Sequence, residues 1–360
     1  MTQEHIAASF DAERLSSFVA TALQAAGSAP EQAADVARAL TQASLRGVDS
    51  HGVRLLPHYA KVLKGGRIAA APRLAIRRTA PAAAVVDADN GFGHWASYHA
   101  IREGCAIARE TGMAGVSVIN SSHFGAAGCY VLEAAKEGLV AFAFSNSDSF
   151  VLPHDGVAPF HGTNPIAFAA PVPNGRPLLL DMATSIVPWN RIRDYETKGL
   201  QVPPDVAVDD AGQMTTDPSA VNALLPVGGV RFGFKGAGLA GVMEVLSAVM
   251  TGMAHCARLI DMTGSDISTP RRLGHFFVVI NPDVFVSRAD FDRGMTDYLT
   301  DLRANPAQQG KWVMAPGDRE WAVEDHRSAH GIPVHRNLLE EFNTLIRQLK
   351  LDPAMLECAS

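Results

Sequence analysis

The spacing of hydrophobic positions predicts helices at both ends of the chain. Over residues 11–26 and 29–46, apolar residues recur every three or four positions, which predicts two amphipathic helices. Pro30 suits the first turn of the second helix, because proline needs no backbone N–H there. The same periodicity predicts amphipathic helices over residues 288–303 and 337–349.

Between these ends, short apolar runs alternate with helix-forming stretches. Strands are predicted over residues 74–78, 83–88, 114–120, 139–145, 166–170, 177–182 and 275–280. Helices are predicted over residues 57–64, 94–111, 126–136 and 236–253. The last helix is apolar nearly all round, which is typical of a buried helix.

This order of elements predicts an α/β fold of the α+β kind. The N- and C-terminal segments, residues 1–78 and 300–360, are expected to form a helical domain. Residues 79–299 are expected to form a central sheet domain that holds the cofactor and the catalytic residues.

Composition narrows the class of protein. A chain of 360 residues with 47% hydrophobic and 19% charged residues can bury a large core. The net charge of −6 argues against a nucleic-acid partner and an anionic membrane. We see no signal peptide and no run of about 18 apolar residues. Four cysteines are scattered without CxxC spacing, which predicts a reducing cytoplasm: Cys105, Cys129, Cys256 and Cys358.

Two histidines in small-residue turns are the leading acid/base candidates. His123 follows the predicted strand 114–120 and precedes the predicted helix 126–136, so a loop on a rigid scaffold presents it. His51 lies in a similar setting, in Ser50-His51-Gly52. Histidine has an ordinary pKa of about 6.5, near neutrality. The alternative for each is a local role in capping the backbone.

A GxGxxG pattern at Gly236–Gly241, with Asp261 further on, invites a dinucleotide-binding interpretation. The preceding residues do not form a clean strand, and no second βαβ half follows, so we do not predict a Rossmann turn. Lys235 has a different interpretation. It is expected just before a helix start, where free N–H groups and the ammonium would hold a phosphate or carboxylate.

The thirteen histidines raise the question of a metal site. One pair has i, i+4 spacing, His326 and His330, but it lacks the HExxH pattern of a zinc helix. A solvated helix face is the favoured interpretation, and no metal is predicted.

Three polar turns follow or precede predicted strands. They are 146–148, 162–165 and 181–185. Each alone is more often a turn than a site, but several such turns together with two histidine turns favour a ligand cleft.

Seven ordered motifs carry a family resemblance over nearly the whole chain. They are Arg46–Gly52, Ser122–Gly125, Gly162–Phe168, Asp181–Ser185, Thr216–Pro218, Leu224–Pro226 and Lys235–Gly236. By these motifs the chain resembles the malate/L-lactate dehydrogenase family, which is distinct from the Rossmann-type dehydrogenases. That family includes ureidoglycolate dehydrogenase, sulfolactate dehydrogenase and piperideine-2-carboxylate reductase.

The resemblance implies a non-Rossmann mixed or antiparallel sheet, a homodimer, and binding of NAD or NADP. It gives His123 the acid/base role, with Ser50, His51 and Tyr59 lining the substrate pocket. Arg46 and Arg54 are added as substrate-binding candidates. The predicted cofactor-binding residues are Ser147, Asp181, Met182, Ala183, Lys235 and Asn164.

One departure from the family pattern concerns the substrate carboxylate. Many members have arginine four residues after the histidine of the Ser-His-Gly motif, whereas this chain has Leu55 there and Arg54 one place earlier. Either Arg54 holds the carboxylate, or another group does, such as backbone amides of 162–164. The alternative is that Arg54 lies on the surface and Leu55 faces inward.

The predicted function is hydride transfer between NAD(P) and a small 2-hydroxy or 2-keto acid. His123 would exchange the proton, and His51 with Ser50 would hold or polarise the substrate oxygens. The alternative within enzymes is an NAD(P)H-dependent reductase of a cyclic imino acid. A cofactor-free binding protein and a metal-dependent hydrolase are the alternatives from other classes. NAD is favoured over NADP, and no residue of the sequence decides between them.

Overall fold

The computed structural model of the protein describes residues 6–197 and 199–356. Its α-helices are α1 (Ala12–Ala25), α2 (Pro30–Leu45), α3 (Leu56–Lys64), α4 (Gly93–Thr111), α5 (Gly128–Lys136), α6 (Trp189–Thr197), α7 (Gly229–Glu244), α8 (Arg288–Ala304), α9 (Asp318–His330) and α10 (Arg336–Leu349). Its strands are β1 (Ile6–Phe10), β2 (Ala75–Ala80), β3 (Ala83–Asp87), β4 (Met113–Ser121), β5 (Val140–Ser145), β6 (Ile166–Ala170), β7 (Leu178–Met182), β8 (Ala207–Val208), β9 (Ala223–Leu224), β10 (Leu273–Ile280) and β11 (Ile332–His335).

A seven-stranded sheet with the order β2-β3-β4-β10-β5-β6-β7 forms the centre of the molecule. β3 and β4 run parallel, and the other neighbouring pairs are antiparallel. This mixed, largely antiparallel sheet confirms the predicted α+β class. It also differs from a Rossmann sheet, whose strands are mostly parallel. The GxGxxG residues Gly236–Gly241 lie inside α7 and not at a strand-to-helix turn.

Helices α4 and α5 cover one face of this sheet. Ala100, Ile101 and Ala108 of α4 are fully buried against the sheet. Gly104 permits the close approach, since a Cβ atom there would lie 2.8 Å from the side chain of Val279 on β10. Small residues along α4 therefore let the helix pack directly on β3, β4 and β10, and β4 leads into the turn that carries His123.

A second hydrophobic cluster joins the two ends of the chain. It combines α1, α2 and α3 with α10, and the rings of Phe18 and Phe342 lie 5.2 Å apart. β1 pairs antiparallel with β11, with Phe10 opposite Ile332. Neither strand was predicted from the sequence, because each is short and β11 contains Pro333.

The expected boundary at residue 78 falls inside a strand. β2 spans Ala75–Ala80 and pairs with β3, so it belongs to the central sheet along its whole length. Residues 1–5 and 357–360 of the expected helical domain, including Cys358, lie outside the described residues. Cys105, Cys129 and Cys256 are free and buried.

Helix α7 differs from its prediction in two ways. It begins at Gly229 and not at Gly236 as expected, and it continues into a π-helical segment at Val245–Val249. It is also not buried all round: Phe232 is 57% exposed and Val249 is 65% exposed. Within Gly229–Val249, a window of 18 residues has a mean hydropathy of 1.3, enough by length and composition alone to cross a membrane, and 39% of that window is buried. Apolar composition cannot reveal whether a helix face has a packing partner.

Candidate active site

The turn after β4 carries His123 and is fixed by buried neighbours. His275 of β10 contacts Ser121 Oγ at 2.9 Å through Nε2 and Ser145 Oγ at 2.8 Å through Nδ1. The ring of Phe124 stacks on His275 with centroids 4.5 Å apart. Gly125 has φ +71°, and a Cβ atom there would lie 2.8 Å from His94 Nε2, so the turn requires glycine.

Tyr59 and His123 form a close hydrogen-bonded pair. Tyr59 of α3 is 1% exposed, and its hydroxyl lies 2.6 Å from His123 Nδ1. The same hydroxyl lies 3.4 Å from Nε2 of His94 on α4. Burial raises the pKa of Tyr59, so this phenol remains protonated. Burial, followed by the nearby His51 and His94, holds the pKa of His123 well below its ordinary value.

His51 lies beside His123 on a separate turn. Their rings are stacked, with centroids 5.6 Å apart and an interplanar angle of 27°. Ser50 Oγ is 2.9 Å from His51 Nδ1. Burial, with a smaller contribution from the positive charge of Arg54, lowers the pKa of His51 to about 4. The structure thus brings Ser50, His51, Tyr59 and His123 together.

Contacts from distant segments hold the turn that carries His51. Arg327 of α9 donates two hydrogen bonds to the Asp49 carboxylate, at 2.6 and 2.9 Å. Ser44 Oγ accepts the Val53 amide at 3.0 Å. Asn190 of α6 donates to the Ser50 carbonyl at 3.2 Å. The backbone on both sides of His51 is therefore anchored.

The structure places Leu55 and the two arginines predicted to bind substrate in different surroundings. Leu55 packs against the helical core, whereas Arg54 is exposed and close enough to His51 to influence its pKa. Arg46 is buried, and its guanidinium meets Cys129 Sγ at 3.2 Å and Glu324 at 3.7 Å. These contacts turn Arg46 toward α5 and α9, which does not fit its predicted place in the substrate pocket.

Arg271 is a buried cation that was not predicted from the sequence. It is 6% exposed, and it donates to Asp148 Oδ1 at 2.7 Å and to the Ile260 carbonyl at 2.6 Å. Its charge lowers the pKa values of His58, Tyr59 and His123, so it lies close to the histidine cluster. Burial lowers the pKa of Arg271 itself, against the opposing effect of Asp148.

Apart from Lys235 on α7, the predicted cofactor residues lie at the ends of β5 and β7 and in the turn before β6. Ser147 is half-buried, with Oγ 3.1 Å from Thr163 Oγ1. Asp181 accepts the Gly128 amide, the first of α5, at 2.8 Å. Burial raises the pKa of Asp181 to about 6, against the lowering effects of that hydrogen bond and of Arg46. Met182 and Ala183, which follow Asp181, are half-buried.

Asn164 is placed differently from the other cofactor candidates. It is completely buried, and its Oδ1 accepts the Ser147 amide at 3.1 Å while its Nδ2 donates to Glu244 at 2.8 Å. Its side chain therefore supports the Ser147 loop and is not available to a ligand, which corrects its predicted role as a direct contact.

The prediction that Lys235 lies just before a helix start is wrong. Because α7 begins at Gly229, Lys235 lies in the second turn and not before a helix start, so free N–H groups do not surround it. Its side chain is exposed, with Nζ 5.6 Å from the Phe232 ring centroid, and it forms no ion pair with a described residue. Lys235 is therefore an exposed cation within α7.

The structure also locates the two histidines weighed as metal ligands. His326 and His330 stack on α9 with ring centroids 4.4 Å apart. Within residues 6–197 and 199–356, no three His, Cys, Asp or Glu side chains gather as a metal would require.

His94 and Arg271 could not have been identified from local patterns. His94 opens an otherwise ordinary amphipathic helix, and Arg271 lies in a loop of mixed composition. Their relation to His123 depends on the pairing of β4 with β10 and on the seating of α4, which are long-range contacts.

Comparison with known proteins agrees with this arrangement. A family model described as malate/L-lactate dehydrogenase matches residues 10–343. The chain is 36% identical over 346 residues to the malate dehydrogenase of Pyrococcus abyssi, with 94% of each protein covered. It is 34% identical over 323 residues to the ureidoglycolate dehydrogenase (NAD(+)) of Escherichia coli O157:H7, covering 89% of this chain and 91% of that one.

A solved structure extends the similarity to the fold. The delta1-piperideine-2-carboxylate reductase of Pseudomonas syringae pvar. tomato matches with a TM-score of 0.84 and 30% identity. The match covers 94% of this chain and 99% of the reductase.

Proposed function

Because the chain belongs to the malate/L-lactate dehydrogenase family, we propose that it interconverts a small 2-hydroxy acid and its 2-keto acid with NAD or NADP. The resemblance drawn from the seven motifs is thereby confirmed. The observation that carries the proposal for this chain is the Tyr59–His123 pair, 2.6 Å apart, beside His51. It provides a positioned acid/base group in a setting that also contains buried cations.

His123 is the proposed acid/base residue. Its lowered pKa keeps the imidazole neutral near pH 7, so it can accept the hydroxyl proton during oxidation. When Nε2 accepts, the ring hydrogen must be on Nδ1, which donates to Tyr59 Oη. The Tyr59 hydrogen is then directed to His94 Nε2, which is neutral because burial lowers the pKa of His94 to about 3. His51, oriented by Ser50, would hold the substrate oxygens.

We propose Arg271 as the principal partner of the substrate carboxylate. A buried carboxylate requires a cation or several donors, and a guanidinium offers two parallel donors. Arg271 lies near Tyr59 and His123, and its hydrogen bonds to Asp148 and Ile260 hold its orientation. Arg54 is proposed as a weaker, exposed contributor at the rim.

The nicotinamide nucleotide supplies or accepts the hydride when it is bound. Five residues are proposed to hold it: Ser147, Asp181, Met182, Ala183 and Lys235. Several observations support the fit. Hydroxyls of Ser147 and Thr163 lie together at strand ends, and Lys235 is an exposed cation suited to a phosphate. A Cβ atom at Gly162 would lie 2.5 Å from Ser147, so these loops leave no room for a larger residue. We favour NAD.

The reduction of a cyclic imino acid is the second candidate. The structural similarity to the piperideine-2-carboxylate reductase supports it, since the same proton relay serves a C=N bond. His123 would then donate the proton to the product nitrogen, and Arg271 would hold the same carboxylate.

We also propose a cytoplasmic homodimer. Four apolar side chains on α7 and its π-helical extension are at least half exposed: Phe232, Phe234, Val245 and Val249. An exposed apolar strip of this kind favours burial against a second copy. Sedimentation of the Phe234→Glu variant, expected to be monomeric, tests the dimer.

We propose two domains, a helical domain built from the two ends of the chain and a central sheet domain. The two hydrophobic clusters support this division, with the boundary placed before β2.

A fluorescence titration with NADH and NADPH tests the function. Binding of either nucleotide, followed by turnover of malate, lactate or ureidoglycolate, supports a 2-hydroxy-acid dehydrogenase. Turnover of piperideine-2-carboxylate alone would favour the imino-acid reductase. If neither nucleotide binds, the proposal is wrong.

A further inference from the structure

Glu244 is a buried carboxylate at the end of α7, directly before the π-helical segment Val245–Val249. It is 7% exposed and accepts four hydrogen bonds. Asn146 Nδ2 and the Cys256 amide reach one oxygen at 3.2 and 2.7 Å, and Asn164 Nδ2 reaches the other at 2.8 Å. The Cys256 thiol also donates to that second oxygen.

No lysine or arginine among the described residues forms an ion pair with this carboxylate. A buried charge without a cation is costly unless several donors compensate it, and the four donors around Glu244 have that role. Burial, reinforced by the negative charge of Glu244, raises the pKa of Cys256 to about 12, so the thiol remains a donor. π-Helical turns of this kind often occur at functional sites.

The four donors belong to three loops that are far apart in sequence. These are 146–148 after β5, 162–164 before β6, and 254–256 after the π-helical segment. Asn164 connects Glu244 to the backbone of Ser147, because its Oδ1 accepts the Ser147 amide at 3.1 Å. Cys256 connects Glu244 to the backbone of Gly162, because its sulfur accepts the Gly162 amide at 3.0 Å. One carboxylate therefore sets the backbone position of Ser147 and of the adjoining turn.

We propose that Glu244 is a positioning residue for the nicotinamide nucleotide site, acting through Asn164 and Cys256 on the Ser147 loop. The inference rests on the proposed function of that loop. The effect of Glu244 on the loop can be tested separately from nucleotide binding, because the loop geometry can be measured without any nucleotide.

The Glu244→Gln variant tests the proposal. Glutamine keeps the shape, but its NH₂ group must face donors from Asn164 or Cys256, so at least one hydrogen bond is lost. We expect backbone amides of 147–164 and of 256 to exchange hydrogen about tenfold faster or more. We also expect the NADH or NADPH dissociation constant to rise about tenfold, the size of effect that loss of a hydrogen bond produces. Turnover at saturating nucleotide should change less than threefold.

Asp35→Asn is the matched control. Asp35 is a half-buried carboxylate on α2 beside Arg102, and α2 lies outside the three loops around Glu244. Its replacement should leave exchange at 147–164 and nucleotide affinity unchanged. The milder Cys256→Ala variant removes the sulfur, which donates to Glu244 and accepts the Gly162 amide, and it keeps the test available if Glu244→Gln does not fold. It should weaken nucleotide binding about threefold, by the partial loss of the same hydrogen-bond set.

The outcomes separate this inference from the proposed function. Failure of the wild-type chain to bind either nucleotide contradicts the proposed function and not the loop geometry. Faster exchange with unchanged nucleotide affinity overturns the positioning role. Unchanged exchange in Glu244→Gln and Cys256→Ala overturns the geometric basis as well.

Discussion

The turns that carry His123 and His51 bring two similar rings together by different means. The His123 turn follows a central strand and is held by buried rings, His275 and Phe124, within the sheet core. The His51 turn lies between helices and is held by polar side chains from distant segments, Arg327 and Asn190. A proton donor or acceptor must be placed within hydrogen-bonding distance of the reacting atom, and the sheet provides the more rigid support.

This difference suggests unequal roles. His123 has a buried phenol on its Nδ1, which fixes the ring and leaves Nε2 for the substrate. His51 has a serine hydroxyl on its Nδ1, and Arg54 beside it is exposed. We therefore expect chemistry to depend most strongly on the His123 turn and substrate binding on the His51 turn.

Replacing His123 by alanine tests the larger effect. Turnover should fall by about 10²- to 10⁴-fold, which is the usual contribution of a positioned acid/base group. Nucleotide affinity should stay within about twofold by the same argument, since proton transfer and nucleotide binding use different groups. Steady-state kinetics and fluorescence titration measure both quantities. His326→Ala, on the exposed face of α9, is the control, and near-normal turnover of His123→Ala would refute the assignment.

Tyr59→Phe tests the support of His123, because it removes only the hydroxyl that contacts His123 Nδ1 and His94 Nε2. The ring remains packed against Phe92, at a centroid distance of 5.7 Å. Loss of the hydroxyl leaves His123 Nδ1 without its partner, which costs about 1–3 kcal/mol, or roughly 5- to 150-fold in turnover. The pH dependence of kcat/KM should shift in the same variant. An unchanged rate and pH profile would mean that Tyr59 is only a core residue.

Lowering the pH should reduce the stability of the folded protein, because histidines buried around both turns are neutral there. Burial lowers the pKa of His51 to about 4 and that of His94 and His275 to about 3, whereas in the unfolded chain each lies near 6.5. As pH falls below about 6.5, the unfolded state binds more protons, so stability falls until the folded-state pKa values are reached. Above about 6.5 both states are neutral, and these groups contribute no slope.

Urea unfolding between pH 4 and 7 measures this slope. His94→Asn should show a shallower dependence, because the variant lacks one such histidine. An equally steep dependence would mean that His94 is charged in the folded protein or that other groups dominate.

The sequence predicted the two histidine turns but not their surroundings. Ser50-His51-Gly52 and Ser122-His123-Phe124-Gly125 are local signals, so their residues could be identified directly. His94, Arg271 and Glu244 become functional candidates only through the pairing of β4 with β10 and the course of α7. The alternation of strands and helices likewise predicted the sheet, whereas β1 and β11 depend on each other across the chain.

Arg271→Lys tests which cation holds the carboxylate. Lysine keeps the charge but loses the paired donors, and it cannot reproduce the hydrogen bonds to both Asp148 and Ile260. We expect the Michaelis constant for a carboxylate substrate to rise about tenfold or more, as for the loss of one charge-assisted hydrogen bond. NADH affinity should be unchanged. If the Michaelis constant is unaffected, the carboxylate is held elsewhere, and the backbone amides of 162–164 become the next candidates.

Arg54 should give the smallest effect, because it is exposed and solvent screens its charge. Arg54→Lys should raise the same Michaelis constant by only about two- to threefold, in line with a surface ion pair. Arg54→Gln adds a second measurement. Removing the positive charge should raise the pKa of His51 above about 4, and an NMR titration of the His51 ring would follow it. Arg54→Lys keeps the charge and should leave that pKa nearly unchanged. A larger kinetic effect at Arg54 than at Arg271 would reverse the comparison, since the His51 turn would then hold the carboxylate and the core around the His123 turn would only support the histidines.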